Sequence, residues 1–177
     1  RGGHKLEKAL DHFNLNVEGL LAADLGASTG GFTDCLLQRG VEKIYAVDVG
    51  KGQLAWSLRQ DPRVIVMEKI NARHLLPDHM PLPFNGVDIT VIDCSFISLT
   101  KILPAAVSLT VPAGKIVALI KPQFEAGKSA VDEGKGGIRD PMIHQSVIEG
   151  LRQFVSEDLH LNWLGVTESP ILGPAGN

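Results

Sequence analysis

Asp24-Leu25-Gly26-Ala27-Ser28-Thr29-Gly30-Gly31-Phe32, followed by Lys43-Ile44-Tyr45-Ala46-Val47-Asp48, is the stretch on which the reading of this chain turns. Leu20 to Ala23 has the continuous apolar character of a buried strand. The glycines demand a tight turn, and Gly31 to Gln38 reads as a helix that Gly40 can end. Lys43 to Val47 reads as a second strand that delivers Asp48. Strand, glycine-rich turn, helix and a second strand ending in a carboxylate is the order of a nucleoside-binding βαβ unit. Glycine lets backbone approach a ligand closely, and a carboxylate at the second strand's tip can accept two hydrogen bonds from a ribose diol. The opposing reading is an ordinary βα turn of some other α/β enzyme, with Asp48 capping a helix.

Spacing separates the nucleotide classes. The dinucleotide pattern G-x-G-x-x-G fails because Ser28 stands at its second glycine and the spacing is Gly26-x-x-x-Gly30-Gly31. A phosphate-loop decoy at Gly127-Lys128-Ser129 fails because its first glycine falls on Pro122. The remaining pattern resembles the S-adenosylmethionine loop of class I methyltransferases, where an acidic residue opens the motif and the methionine part of the ligand lies against the loop. That resemblance marks Asp24, Gly26, Ala27, Ser28, Gly30, Gly31 and Phe32 as cofactor candidates, with Asp48 holding the ribose. Phe32 fits the core equally well.

A chain of 177 residues, 44% hydrophobic, can bury a core as one domain. No apolar run is long enough to span a bilayer, and no secretory signal pattern is present. Cys35 and Cys94 lie in apolar settings without metal-ligand spacing, as expected of buried thiols in a reducing, cytoplasmic setting. The six histidines show no metal spacing either. The formal net charge of −3 is not the global signature of an autonomous nucleic-acid binder, so any RNA contact needs a local basic patch or another domain.

Further elements alternate. Leu6, Ala9, Leu10 and Phe13 repeat at helical spacing ahead of the first strand. Val64 to Met67, Val87 to Asp93 and Lys115 to Lys121 read as strands three to five, and Leu161 to Thr167 as the last. Ser98 to Leu109 is partly helical, with Pro104 kinking or breaking it. Glu125 to Asp140 reads as a long mobile loop, and Pro141 to Val155 as a helix with proline in its first turn. The order predicts a mostly parallel, doubly wound sheet with binding residues at the carboxyl ends of its strands. Asp93, Lys121 and Glu168 each stand where an apolar run stops, which suits a cleft lining or simply a solvated strand end.

The motifs Arg1-Gly2-Gly3-His4-Lys5-Leu6, Asp24 to Asp34, Asp93-Cys94-Ser95-Phe96-Ile97-Ser98-Leu99, Leu119-Ile120-Lys121-Pro122-Gln123-Phe124-Glu125 and Glu168-Ser169-Pro170-Ile171 resemble those of the TlyA (hemolysin A-like) ribosomal RNA methyltransferases, within the wider FtsJ-like group. The resemblance runs from Arg1 to Asn177. It implies a Rossmann-like class I methyltransferase fold, a doubly wound, mostly parallel seven-stranded sheet with an antiparallel strand near the C-terminal end. It also implies S-adenosyl-L-methionine as cofactor and ribosomal RNA or ribosomal subunits as partner. The implied reaction is 2′-O-methylation of cytidine ribose. By motif position a Lys-Asp-Lys-Glu catalytic tetrad falls on Lys5, Asp93, Lys121 and Glu168, with Asp93 also beside the cofactor. Full-length relatives carry an S4-type RNA-binding domain ahead of this point. The absent initiating Met and the motif-like ends, Gly173 to Asn177 among them, suggest one domain of a longer protein.

Those residue types suit the chemistry. A ribose hydroxyl must lose its proton as it attacks a sulfonium methyl. A lysine can take that proton or stabilise the alkoxide, a role expected of Lys121 with Lys5 assisting, while Asp93 and Glu168 hold the lysines by charge-assisted hydrogen bonds. No metal is needed, because the sulfonium is an activated leaving group. Base amino-group methyltransferases often carry [DNS]-P-P-[FY], and Asp93-Cys94-Ser95-Phe96 lacks both prolines. Cytosine C5 methylation needs a cysteine nucleophile, but Cys94 directly follows the acidic residue and reads as a core thiol. A catalytically weak binding module and a base-directed enzyme remain the alternatives. Asn71 can face an adenine edge or cap a helix. Trp56 and Trp163 read as packing residues. Lys128, Lys135, Gly136, Gly137 and Arg139 form either an RNA-phosphate clamp or a solvated loop; Lys8 and Lys101 are further phosphate candidates.

Overall fold

Runs of Val, Ile, Ala and Leu with side chains alternating between two faces build a sheet covered on both sides. The structure, a computed structural model, describes residues 2–133 and 137–177. Its strands are β1 (Leu21–Leu25), β2 (Lys43–Val47), β3 (Val64–Met67), β4 (Val87–Ile92) and β5 (Thr110–Ala118). They pair in parallel in the order β3-β2-β1-β4-β5. The helices are α1 (Gly3–His12), α2 (Gly31–Gln38), α3 (Trp56–Arg59), α4 (Leu99–Leu109), α5 (Pro122–Glu125), α6 (Lys128–Glu133) and α7 (Pro141–Gln153).

On one face Ala22, Ile44, Ala46, Ile89 and Val91 pack with Leu6 and Leu10 of α1 and with Phe32, Cys35 and Leu36 of α2. On the other, Ala23, Leu25, Tyr45, Val47 and Ile92 pack with Ile102, Leu103 and Ala106 of α4 and with Val147 and Leu151 of α7. Each fully buried Leu or Ile contributes roughly 1.5–3 kcal/mol over leaving it exposed. The register places Leu25 opposite both Val47 and Ile92, and Ile92 opposite Ala118. Gly26, Asp48 and Asp93 therefore leave the sheet at one level. The strand order reverses between β1 and β4, so a crevice opens at their carboxyl ends.

The structure departs from the sequence expectations in several places. Five parallel strands form among the described residues, not seven with an antiparallel one. Leu161 to Thr167 has strand-like composition but runs as irregular backbone, with Gly165 at φ 137° and no ladder partner among the described residues. Composition supplies strand propensity, whereas a strand also needs a neighbour to take its N–H and C=O groups. β5 begins at Thr110 and ends at Ala118, and its register slips so that Thr110 pairs with Val87 but Lys115 with Ile89. The extra residues of this irregularity include Pro112 and Gly114, which a regular ladder does not favour.

Pro104 sits inside α4 without breaking it, because the buried face of that helix is held against the sheet. The expected long loop carries α6 and the end of α5. Asp140 caps α7 by accepting from the Met142 amide at 2.8 Å, with Pro141 next in the first turn. Arg1, Lys135 and Gly136, named above for a motif and a phosphate clamp, lie outside the described residues. Trp56 is not a packing residue; it is 74% exposed. Trp163 does pack against the α4 face of the sheet.

Candidate active site

The glycine turn is shaped by what lies behind it. Gly26 has φ 85°, and a Cβ there would stand 2.5 Å from the Asp93 carbonyl oxygen. Only glycine allows the tips of β1 and β4 to approach this closely. The start of α1 makes a similar approach to α2: a Cβ on Gly3 would lie 2.9 Å from the Gly31 carbonyl. That contact carries Lys5 to the crevice.

Asp48 fastens the turn to β2. Its Oδ2 accepts from the Ser28 amide at 2.8 Å, and its Oδ1 accepts from the Gly50 amide at 2.8 Å. It caps no regular helix. Each oxygen keeps a lone pair, so the half-buried carboxylate can still accept from a diol. Ala27, Gly30 and Phe32 are buried, and Ser28 is exposed on the turn at φ 53°.

Asp24 lies beneath the turn rather than in the open crevice. It is fully buried, its Oδ2 accepts from the Thr33 hydroxyl at 2.8 Å, and its Oδ1 has no partner. Burial pushes its carboxyl up to about 7, opposed by the Thr33 hydrogen bond and reinforced by the nearby Asp93 and Asp48 charges. Asn71 is an N-cap: its Oδ1 accepts from the Arg73 amide at 3.0 Å.

The four tetrad positions line one open groove of about 1800 Å³, together with Phe32, Ser95 and Phe96. Within it the structure joins two of them directly. Lys121 Nζ stands 2.7 Å from Asp93 Oδ1 and donates to Ser95 Oγ at 2.8 Å. Lys5 is half-buried and Glu168 exposed; neither forms an ion pair among the described residues. Glu168 follows the irregular segment rather than a strand end.

Three further residues gather here that the sequence reading did not single out. Ser95 is the second acceptor for Lys121. Phe96, 90% exposed, leans on Phe124 with ring centroids 5.2 Å apart. Their signal was their place inside the two motif runs after β4 and β5. Cys94 is directed away from chemistry: its thiol donates to the Leu25 carbonyl at 3.5 Å, and burial pushes it up to about 12. A thiol so reluctant to ionise is a poor nucleophile.

The profile of the FtsJ-like methyltransferase family matches residues 1–177. This chain belongs to that family. It is 48% identical over 178 residues to the 16S/23S rRNA (cytidine-2'-O)-methyltransferase TlyA of Mycobacterium tuberculosis, covering 100% of this chain and 64% of that protein. A solved structure from Lactococcus lactis, described as a hemolysin, superposes with a TM-score of 0.94 at 48% identity, over 100% of this chain and 83% of that one. An S-adenosylmethionine-dependent methyltransferase from Mesorhizobium loti shares the fold alone, with a TM-score of 0.54 and 18% identity over 68% of this chain and 55% of its own. The chain thus spans less than two thirds of the length of the curated TlyA relative. The hemolysin name raises a membrane role, yet no helix among the described residues is long and apolar enough to cross a membrane.

Proposed function

We propose that this chain transfers the methyl group of S-adenosyl-L-methionine to a ribose 2′-hydroxyl of ribosomal RNA, with cytidine as the nucleotide. The observation that carries the reading is the Lys121–Asp93 ion pair at the carboxyl ends of β4 and β5, beside the Gly26–Phe32 turn. The residues present fit the cofactor: a turn at the tip of β1 that exposes Ser28 and Thr29, and beside it the Asp48 carboxylate with lone pairs to spare for a ribose. When bound, the cofactor supplies an electrophilic methyl on an activated leaving group. Gly26 to Phe32, Asp48 and Asp93 would hold it, with Asn71 near the adenine side.

An ammonium has three N–H donors. Lys121 directs two at Asp93 and Ser95, which leaves the third for an oxygen entering the groove. Aimed at the 2′-oxygen, it stabilises the charge that develops as that oxygen takes the methyl and its proton passes to water in the open groove, and being pre-positioned it needs no reorganisation at that moment. Lys5, half-buried in the lining of the same groove, would add a second cation, and the exposed Glu168 would hold the lysines in place. Phe96 presents an aromatic face beside Lys121, where an unstacked base can lie. The name of the M. tuberculosis relative supports ribose of cytidine as the target, and the inert Cys94 argues against C5 chemistry. The acidic net charge leaves most RNA affinity to chain beyond these residues, an S4-type domain in the family's pattern. Lys8, Lys101 and Lys128 are exposed phosphate contacts, whereas Arg139 donates two N–H groups to the Ala175 carbonyl.

The test is methyl transfer from radiolabelled cofactor to ribosomal subunits, with the product nucleoside mapped. Label on the ribose of cytidine supports the assignment; label on a base overturns it.

A further inference from the structure

Phe96 holds φ 63°, a left-handed conformation that a bulky L-residue rarely adopts. Such a residue persists only where its surroundings over-determine it. The start of the loop Asp93 to Leu99 is tied to the Leu25 carbonyl by the Asp93 amide and the Cys94 thiol; its further side-chain restraints come from one short turn, Lys121 to Glu125. At its start Lys121 grips Asp93 and Ser95. In its middle Phe124 packs against Phe96. At its end the Glu125 carboxylate accepts from Ser98 Oγ at 2.6 Å and from the Leu99 amide at 2.7 Å. Glu125 is half-buried and does not line the groove, so it stands outside reach of a substrate there.

We propose that Glu125 is a positioning residue for methyl transfer: its two charge-assisted hydrogen bonds lock the Asp93–Leu99 loop to the Lys121–Glu125 turn, setting the angle at which Lys121 and Phe96 meet the target nucleotide. This rests on the reading of Lys121 as the residue facing the 2′-oxygen. The mechanical logic is simple. Lys121 and its two acceptors lie on separate segments, each following a different strand. Without a fastening near Ser98, the loop is free to relax Phe96 out of its strained conformation and carry Ser95 away from Lys121. Ser98 also caps α4, its Oγ accepting from the Thr100 amide at 3.2 Å. A role in capping alone would therefore weaken the fold and leave chemistry intact.

Turnover separates the two roles. The intact protein and its Glu125→Ala, Glu125→Gln, Ser98→Ala and Lys121→Ala variants are compared in methyl transfer to ribosomal subunits, in calorimetric binding of S-adenosylhomocysteine, and in thermal unfolding. Glu125→Ala is expected to lower kcat about a hundredfold, the scale of a misplacement of about 1 Å in a catalytic group. Cofactor affinity should stay within about twofold, since the Gly26–Phe32 turn and Asp48 lie on other loops and Asp93 keeps its Lys121 partner and its amide hydrogen bond to the Leu25 carbonyl. Glu125→Gln keeps a carbonyl acceptor and should recover part of the loss. The Ser98→Ala/Glu125→Ala pair should be no worse in kcat than Glu125→Ala, because both act through one contact. A folded Glu125→Ala enzyme with parental kcat overturns the proposal. If that variant does not fold, parental kcat in both Glu125→Gln and Ser98→Ala overturns it equally. An active Lys121→Ala enzyme sinks the catalytic reading and this proposal together, whereas a dead Lys121→Ala beside a fully active Glu125→Ala sinks only the clamp.

Discussion

Replacing Asp24 with asparagine should make the protein more stable, and the gain should grow with pH. Asp24 is wholly buried under the Gly26 turn, with one oxygen bonded to Thr33 and the other to nothing. Its carboxyl is raised from 3.8 to about 7, with burial the largest cause. The folded state therefore binds this proton more tightly than the unfolded chain does. Below the unfolded value the group is neutral in both states and costs the fold nothing. As pH rises from there, the unfolded chain ionises first, and stability falls until the folded group ionises near 7. At about 1.4 kcal/mol per tenfold change in proton affinity, the full loss is about 4 kcal/mol, and by pH 5 part of it has already been incurred. Asparagine mimics the neutral acid, keeps the carbonyl acceptor for Thr33 and never ionises. Urea unfolding of both proteins at pH 5 and pH 8 should show Asp24→Asn ahead at both, with the larger gap at pH 8. A gap that is constant with pH, or an Asp24→Asn protein less stable at pH 8, would refute the placement of an uncompensated carboxyl beneath the turn.

Asp48→Ala should weaken cofactor binding at least tenfold by calorimetry while thermal unfolding stays cooperative, because hydrogen bonds to a charged group are worth about 1.5–3 kcal/mol. It also frees the Ser28 and Gly50 amides, so unchanged affinity would remove Asp48 from the site. Lys121→Ala should bind cofactor normally and lose methyl transfer, whereas Cys94→Ala should stay active; the reverse pattern, read with radiolabelled cofactor, would move the chemistry to a thiol. Gly26→Ala should cost about 1–3 kcal/mol by chemical denaturation, since the new Cβ meets the Asp93 carbonyl at 2.5 Å with the backbone at φ 85°. An unperturbed Gly26→Ala protein would mean that the tips of β1 and β4 are not in contact.

Local chemistry determined much of this protein. The strand–turn–helix–strand unit from β1 to Asp48 was legible because its signals are short-range: apolar runs, glycines where φ is positive, and a carboxylate at a strand end. α2, β2 and β3 were read to the residue, and the alternation of elements already demanded a parallel sheet. The motif runs likewise marked Asp93 and Lys121, although nothing local showed that they touch. Tertiary structure decided the rest. Whether Leu161 to Thr167 becomes a strand depends on a neighbouring edge, and among the described residues it pairs with none. Whether Asp24 stands open or enclosed depends on what packs around it, and the fold buries it completely with Thr33 as its hydrogen-bond partner. Trp56 read as core until the fold left it in solvent. The grip of Lys121 to Glu125 on Asp93 to Leu99 joins residues about 26 positions apart in the chain. Pairings at that separation arise only when β4 and β5 lie side by side, because hydrogen bonds and desolvation act over ångströms in space whereas sequence patterns report only on neighbours along the backbone.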